Sequence, residues 1–191
     1  MRIIGGSAAG TILKAPRGFA LRPTPDLVRQ AVFNSLAPRI AGARVLELFG
    51  GTGALSLECL SRGAIQAVCV EKSGRHAQFI RQNLELARLP SGRLDLRVQD
   101  AWAAIAQMAA ASQQFDLLFA DPPYGEKNAG RRSVSFAQQL LDHAALPGLV
   151  AAGGLFILGH ARRDTLSVPA IWEETKILKH GDSWMRFLRP G

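Results

Sequence analysis

Runs of six to eight mostly apolar residues alternate along this chain with stretches of helical spacing, and that alternation restricts the fold more than any other feature. The strand-like runs are RVLELF (44–49), IQAVCVE (65–71), RLDLRV (93–98), FDLLFA (115–120) and GGLFILGH (153–160). Between them, ALSLECLSRGA reads as a short helix stopped by Gly63. Ser73 to Arg88 sets Ala77, Phe79, Ile80, Leu84 and Ala87 near helical spacing, and Pro90 ends it. An Ala-rich helix is predicted over 101–111, and another over 133–146, closed by Pro147-Gly148. WEETKILKH and SWMRFLRP flank Gly181-Asp182 as a hairpin. This order predicts an α/β protein, a doubly wound and mostly parallel sheet with helices on both faces and a C-terminal antiparallel hairpin.

The first forty residues stand apart. RIIGG and TILKAP can pair as a small hairpin, and PDLVRQAVFNSLAP places Leu27, Val28, Ala31, Val32 and Leu36 on one face of a short helix. Residues 1–40 are expected to form a basic N-terminal extension and 41–191 the main domain. The extension carries six Lys/Arg (Arg2, Lys14, Arg17, Arg22, Arg29, Arg39) against Asp26 alone, which is +5 of a formal +8. A basic lobe on a nearly neutral body points to a polyanion, most often nucleic acid; plain solubility explains charge alone equally well. Cys59 and Cys69 lie in apolar stretches, with no Cys or His nearby at metal-ligand spacing, so neither a zinc site nor a disulfide is expected. No metal is expected. Nothing at the N-terminus resembles a signal peptide, and AALPGLVAAGGLFIL, with one Pro and three Gly, makes a poor membrane span. The reading is a cytoplasmic protein with no membrane contact.

In open α/β sheets, ligands bind beyond the carboxyl ends of the strands. Here each of four successive strand ends carries chemistry: Glu47 to Gly53 (ELFGGTG), Glu71, Asp100, and Asp121-Pro-Pro-Tyr124. The glycine turn is not a dinucleotide fingerprint, because Ser56 stands where the third glycine of G-x-G-x-x-G would be. No Gly-Lys-Ser/Thr follows, which excludes a phosphate loop. A nucleoside without phosphates fits better: Glu71 for two ribose hydroxyls, Asp100 for an adenine amino group, and Glu47 facing a positive charge. S-adenosylmethionine matches that set. Ordinary solvation of a strand end explains Glu47 or Glu71 singly, but not the pair around a glycine loop.

DPPY suits a planar amine. An exocyclic amino group on a base has its lone pair delocalised into the ring, and becomes nucleophilic when acceptors hold its hydrogens. The Asp121 carboxylate and the Pro122 carbonyl supply two acceptors, Pro122 and Pro123 fix the backbone, and Tyr124 offers a stacking face. By itself the motif is short; after the glycine turn and Glu71 it is specific.

Together R-I-I-G-G, LRPTPDLVRQAVFNSL (21–36), LELFGGTGALSLECLSRGA (46–64), VE (70–71), DPPY (121–124) and HGDS (180–183) resemble the RsmD family over nearly the whole chain. The resemblance implies a Rossmann-like, seven-stranded S-adenosylmethionine-dependent methyltransferase with a small N-terminal extension. It also implies methylation of a guanine N2, conventionally position 966, in 16S rRNA of the small ribosomal subunit or its assembly intermediate. On the matching positions, Asp121, Pro122, Pro123 and Tyr124 form the catalytic clamp. Thr24, Glu47, Phe49, Gly51, Gly53, Glu71, Asp100 and Ala101 form the cofactor set. Arg2, Lys14, Arg17 and Arg22 would contact RNA phosphates, and the protein would act as a monomer. Pro25, Gly50 and Ser73 depart from the usual pattern, and Gln99 competes with Asp100 for the adenine. Related clamps also serve adenine N6 and cytosine N4, so the target base rests on the resemblance. A DNA amino-methyltransferase and a non-catalytic RNA-binding assembly factor are the alternatives.

Overall fold

The computed structural model describes residues 1–16, 25–128 and 131–191. Its helices are α1 (Asp26–Ile40), α2 (Ala54–Ser61), α3 (Gly74–Leu86), α4 (Ala101–Ala110) and α5 (Phe136–Asp142). They intersperse with β1 (Arg44–Leu48), β2 (Gln66–Val70), β3 (Leu94–Arg97), β4 (Phe115–Ala120) and β5 (Val150–Ala161), followed by β6 (Trp172–His180) and β7 (Ser183–Pro190). The seven strands form one sheet in the order β3-β2-β1-β4-β5-β7-β6. Pairing is parallel from β3 to β5 and antiparallel between β5, β7 and β6. Strand order reverses between β1 and β4, so the glycine turn after β1 and DPPY after β4 leave the sheet side by side.

The pleat sorts the apolar residues into two cores. Val45, Leu117, Phe119, Ile157 and Phe187 face α1 and α2, whereas Leu46, Leu48, Leu118, Phe156 and Leu158 face α4 and α5. Burial on both faces is why these strands read as nearly continuous apolar runs. Phe33 of α1 stacks on Phe119 with ring centroids 6.0 Å apart. Burying a side chain of this kind contributes about 1.5–3 kcal/mol.

Three expectations need correction. Leu27 does not join the buried face of α1 but is 66% exposed, while Phe33 and Arg29 are buried. Arg29 turns inward because its Nη2 donates to the Arg2 carbonyl (2.5 Å) and to Asp26 Oδ1 (2.7 Å). The helix expected over 133–146 spans only Phe136–Asp142: Ser135 caps its start by accepting from Gln138 N, and Leu146 is buried by a separate short turn, Pro147–Leu149. β5 begins at Val150 rather than 153, with a register shift against β4 where Gly153 takes φ +73°.

The N-terminal hairpin is present as an antiparallel bridge between Arg2 and Ile12. It is built into the body. Ile3 and Leu13 belong to the same apolar core as α1 and α2. The buried Glu58 carboxylate of α2 accepts from Ile4 N (2.7 Å) and Gly5 N (2.8 Å), and also from Arg62 Nε. Gly6, at φ +79°, lies so close to Ser61 that a Cβ would stand 1.9 Å from its carbonyl oxygen. Among the described residues, no helix is long and apolar enough to cross a membrane.

Candidate active site

The four strand ends do converge. β1 turns sharply through Phe49 (φ 60°), Gly51 (φ 56°) and Gly53 (φ 74°) into α2. Such angles favour glycine, and Phe49 tolerates one because its ring packs against Phe136 (5.8 Å) and Trp102 (6.3 Å). The turn is pressed on β2 and α3: a Cβ on Gly50 would stand 2.4 Å from Cys69 Sγ, and one on Gly53 2.9 Å from Ile80. Glu71 closes the far side. Its carboxylate accepts from Gly51 N and Ser73 N, both at 2.7 Å, with His76 Nδ1 at 3.5 Å. Glu71 is 8% exposed, so it lies on the wall between the glycine turn and α3.

Glu47 does not face an open cleft. It is buried under α2 and accepts from Ser56 N (2.9 Å) and Ser56 Oγ, with Cys69 Sγ at 3.5 Å. Burial pushes its carboxyl up to about 7, against the lowering effect of the Ser56 bonds. The expectation that Glu47 meets a positive charge is therefore corrected: it fixes the first turn of α2 against β1. Burial also raises the thiols of Cys59 and Cys69 well above the usual range, and neither is disulfide-bonded.

Asp100 ends the segment after β3 as the N-cap of α4, accepting from Trp102 N (3.0 Å), with Lys72 Nζ at 3.3 Å. Burial raises its carboxyl, but Lys72 and the helix amides outweigh that, and the net shift is downward. Its acceptors are largely taken. Gln99 differs, because its buried Nε2 has no partner among the described residues and presents an unengaged donor just beyond β3. Ala101 is buried in the first turn of α4.

The Asp121 carboxylate lies over β5, where Gly159 makes room: a Cβ there would stand 2.3 Å from Asp121 Oδ1. Pro122 is buried, Pro123 exposed, and the ring of Tyr124 half-buried. Tyr124 donates from its hydroxyl to Ser183 Oγ at 3.1 Å. Burial, reinforced by the Asp121 charge, pushes the phenol up to about 12, so it stays protonated at neutral pH. Thr24, Arg17 and Arg22 lie outside the described residues. Arg2 is exposed and 3.6 Å from Asp26, its partner in an ion pair. The backbone of Lys14 is held by Asn83, whose side chain accepts from Lys14 N (2.7 Å) and donates to the carbonyls of Lys14 and Thr52 (both 3.0 Å).

Three residues that no strand-end motif points to complete the arrangement. Gly159 had a signal, a glycine inside an apolar strand, which marks a close approach. Asn83 had a weaker one, a polar residue on the apolar stripe of α3. Ser183 had none beyond the HGDS string, since pairing of Ala161 with Ser183 across β5 and β7 brings it to the site.

A family described as "Conserved hypothetical protein 95" matches residues 1–189. The chain belongs to this family, the RsmD family. The Escherichia coli (strain K12) relative named ribosomal RNA small subunit methyltransferase D is 40% identical over 124 residues, which cover 65% of this chain and 60% of that protein. The alignment thus spans less than two thirds of the relative's own length. A solved hypothetical protein of Thermus thermophilus, TTHA0928, superposes with a TM-score of 0.80 at 28% identity, covering 99% of both chains. A 16S rRNA N2 G1207 methyltransferase of T. thermophilus, solved with AdoMet and guanosine, shares the fold: TM-score 0.69, 21% identity, 91% of this chain and 45% of that one. These likenesses establish an S-adenosylmethionine-dependent methyltransferase fold.

Proposed function

We propose that this RsmD-family chain transfers a methyl group from S-adenosylmethionine to the exocyclic N2 of a guanine in 16S rRNA. One observation carries this reading: the Asp121 carboxylate and a Tyr124 ring pinned by Ser183 stand beside the glycine turn and Glu71. The residues fit the cofactor. The turn through Gly50, Gly51 and Gly53 carries no side chain at those three positions, and Gln99 Nε2, without a partner among the described residues, offers a donor to a ring nitrogen of adenine. Glu71 would hold the ribose hydroxyls, exchanging its backbone donors for them in part. The bound cofactor supplies an electrophilic methyl group.

The chain's own residues prepare the amine. Asp121 accepts one of its hydrogens and the Pro122 carbonyl the other, which localises the nitrogen lone pair. The proton released on transfer goes to Asp121 or to water. Tyr124, protonated throughout, serves as a stacking face rather than a base.

Unpaired cations supply the RNA path. Lys127, Arg131, Arg162, Arg163 and Lys179 stand in no ion pair among the described residues. All lie on loops or hairpin ends at the site's edge of the sheet. The N-terminal cations Arg2 and Lys14 would extend it together with Arg17 and Arg22, and Thr24 would join the cofactor set. A pre-shaped particle, the small subunit or its assembly intermediate, suits so few cations better than naked RNA. In this reading the protein acts as a cytoplasmic monomer.

The test uses labelled S-adenosylmethionine and small subunits from a strain lacking this gene, with nucleosides identified by mass spectrometry. N2-methylguanosine at one site is expected. Label on adenine, cytosine or DNA alone would overturn the substrate, and cofactor binding without label would favour an assembly factor.

A further inference from the structure

Behind the DPPY segment sits a carboxylate with nothing to hold. Asp164, in the loop after β5, is 1% exposed, and among the described residues neither Oδ1 nor Oδ2 has a hydrogen-bond partner. Its position is fixed by the backbone: Asp164 N donates to the Ala161 carbonyl, and its own carbonyl lies 3.2 Å from His160 Nδ1. The side chain meets the residue that follows Tyr124. A Cβ on Gly125 would stand 2.7 Å from Asp164 Oδ2 and 2.5 Å from Ser135 Cβ, so only glycine fits between them.

The segment that passes over Asp164 is equally unengaged. Among the described residues, no backbone N–H from Tyr124 to Asn128 donates to a protein acceptor. The segment touches the Asp164 loop through other groups: Arg163 Nε donates to the Gly125 carbonyl (3.3 Å), and Asn128 Nδ2 to the Thr165 carbonyl (2.8 Å). Buried carboxylates ordinarily have donors, because desolvating an unpaired charge is costly. Vacant acceptors beside vacant amides, in one stretch adjoining the clamp, are complementary.

We propose that Asp164 is a positioning residue: when the target base enters, the 125–128 segment settles onto its carboxylate, and this sets the clamp of Asp121 to Tyr124 in its reactive geometry. The proposal rests on the methyltransferase reading above. It explains why a buried charge is tolerated without partners in the ligand-free protein. The cost is borne there and recovered in the complex, so that binding of the correct RNA is coupled to assembly of the clamp. Gly125 permits the approach because it has no side chain to separate the backbone from Asp164.

The test is Asp164→Asn, which keeps the size and removes the charge. The thermal midpoint of the unliganded variant should be unchanged or raised by about 2–4 °C, since an unpaired buried charge is gone. S-adenosylmethionine affinity by calorimetry should match the native protein. Turnover on unmodified small subunits should fall about a hundredfold, the scale of a clamp displaced by an ångström. Hydrogen exchange gives a readout that a purely structural role would not move: amides 125–128 should gain protection on adding small subunits to the native protein, and not to the variant. A lowered midpoint would overturn the proposal, because it would mean that the carboxylate is already partnered. So would native-like turnover in the variant. Native protein run in parallel separates the two readings: inactive native protein defeats the functional assignment and this inference with it, whereas two active proteins defeat this inference alone.

Discussion

The Tyr124 hydroxyl donates to Ser183 Oγ over 3.1 Å and so ties the loop after β4 to the first residue of β7. Nothing else holds the ring by a polar contact among the described residues. Ser183→Ala should release the hydroxyl while leaving the fold intact, at a cost of about 1 kcal/mol. With the ring less well placed, methyl transfer under single-turnover conditions should slow about tenfold. Cofactor affinity, measured by calorimetry, should not change. An unchanged transfer rate would show that stacking alone orients the ring.

Gly159→Ala probes the other side of the clamp. The added methyl group would overlap Asp121 Oδ1 at 2.3 Å and crowd Met185 Sδ at 3.2 Å. The strand cannot yield easily, because β5 is paired on both edges, so the Asp121 carboxylate must move. Overpacking should cost about 1–3 kcal/mol in denaturant unfolding, and turnover should fall about a hundredfold. Comparable turnover in both proteins would remove Asp121 from the reacting position.

Glu47 makes a pH signature. Its folded-state pKa of about 7 lies above the ordinary 4.5, so the folded protein binds the proton more tightly than the unfolded chain. Its contribution is therefore full below about pH 4.5 and is lost as pH rises through about 7. Glu47→Gln should erase that dependence. Relative to the native protein, the variant should gain stability across this window, by a total on the order of 3 kcal/mol. The comparison must be between variant and native, since burial lowers His160 from 6.5 to about 4, and that group adds stability as pH rises through the same window, opposite to Glu47. Parallel denaturation curves at pH 5 and pH 8 would decide it.

The strand ends were legible because both-face burial writes continuous apolar runs, and because glycine, carboxylate and DPPY punctuation falls where such runs stop. Side-chain direction was not. Glu47 and Glu71 look alike as strand-end acids, yet Glu47 is swallowed by the Ser56 amide and hydroxyl in the first turn of α2, a partner fixed only once the glycine turn has folded. Leu27 and Arg29 exchange their expected places because Asp26 and the Arg2 carbonyl draw the guanidinium inward. Asp164 was invisible for the same reason: it sits in a loop without periodicity, and only the crossing of β4 and β5 loops brings it to Gly125.

The N-terminal segment shows how a basic extension can be structural. Glu58 is fully buried and its carboxylate is shared by Ile4 N, Gly5 N and Arg62. Glu58→Ala would strand two amides and a guanidinium at once, and stability should drop by about 3 kcal/mol in chemical denaturation. Deleting the first residues removes Ile3 and Leu13 from the core as well, so weakened RNA binding in such a truncation would report unfolding. A loss under about 1 kcal/mol for Glu58→Ala would mean that the hairpin is held by its apolar residues alone.

Point substitutions at the site's edge therefore test the RNA path more cleanly. Arg162 and Lys179 stand in no ion pair among the described residues; Lys179 Nζ rests 4.6 Å above the Trp184 ring, which holds it near the hairpin tip. Each cation that meets a phosphate displaces counterions, so Arg162→Ala or Lys179→Ala should reduce the slope of log affinity against log salt by about 0.7–0.9. Arg2→Ala should do less, because Asp26 already shares its charge at 3.6 Å. Filter binding of the variants to small subunits over a salt series measures these slopes directly. If Arg2→Ala changed the slope more than Lys179→Ala, the RNA would run along the N-terminal hairpin, and the β6–β7 hairpin would carry no phosphate contact.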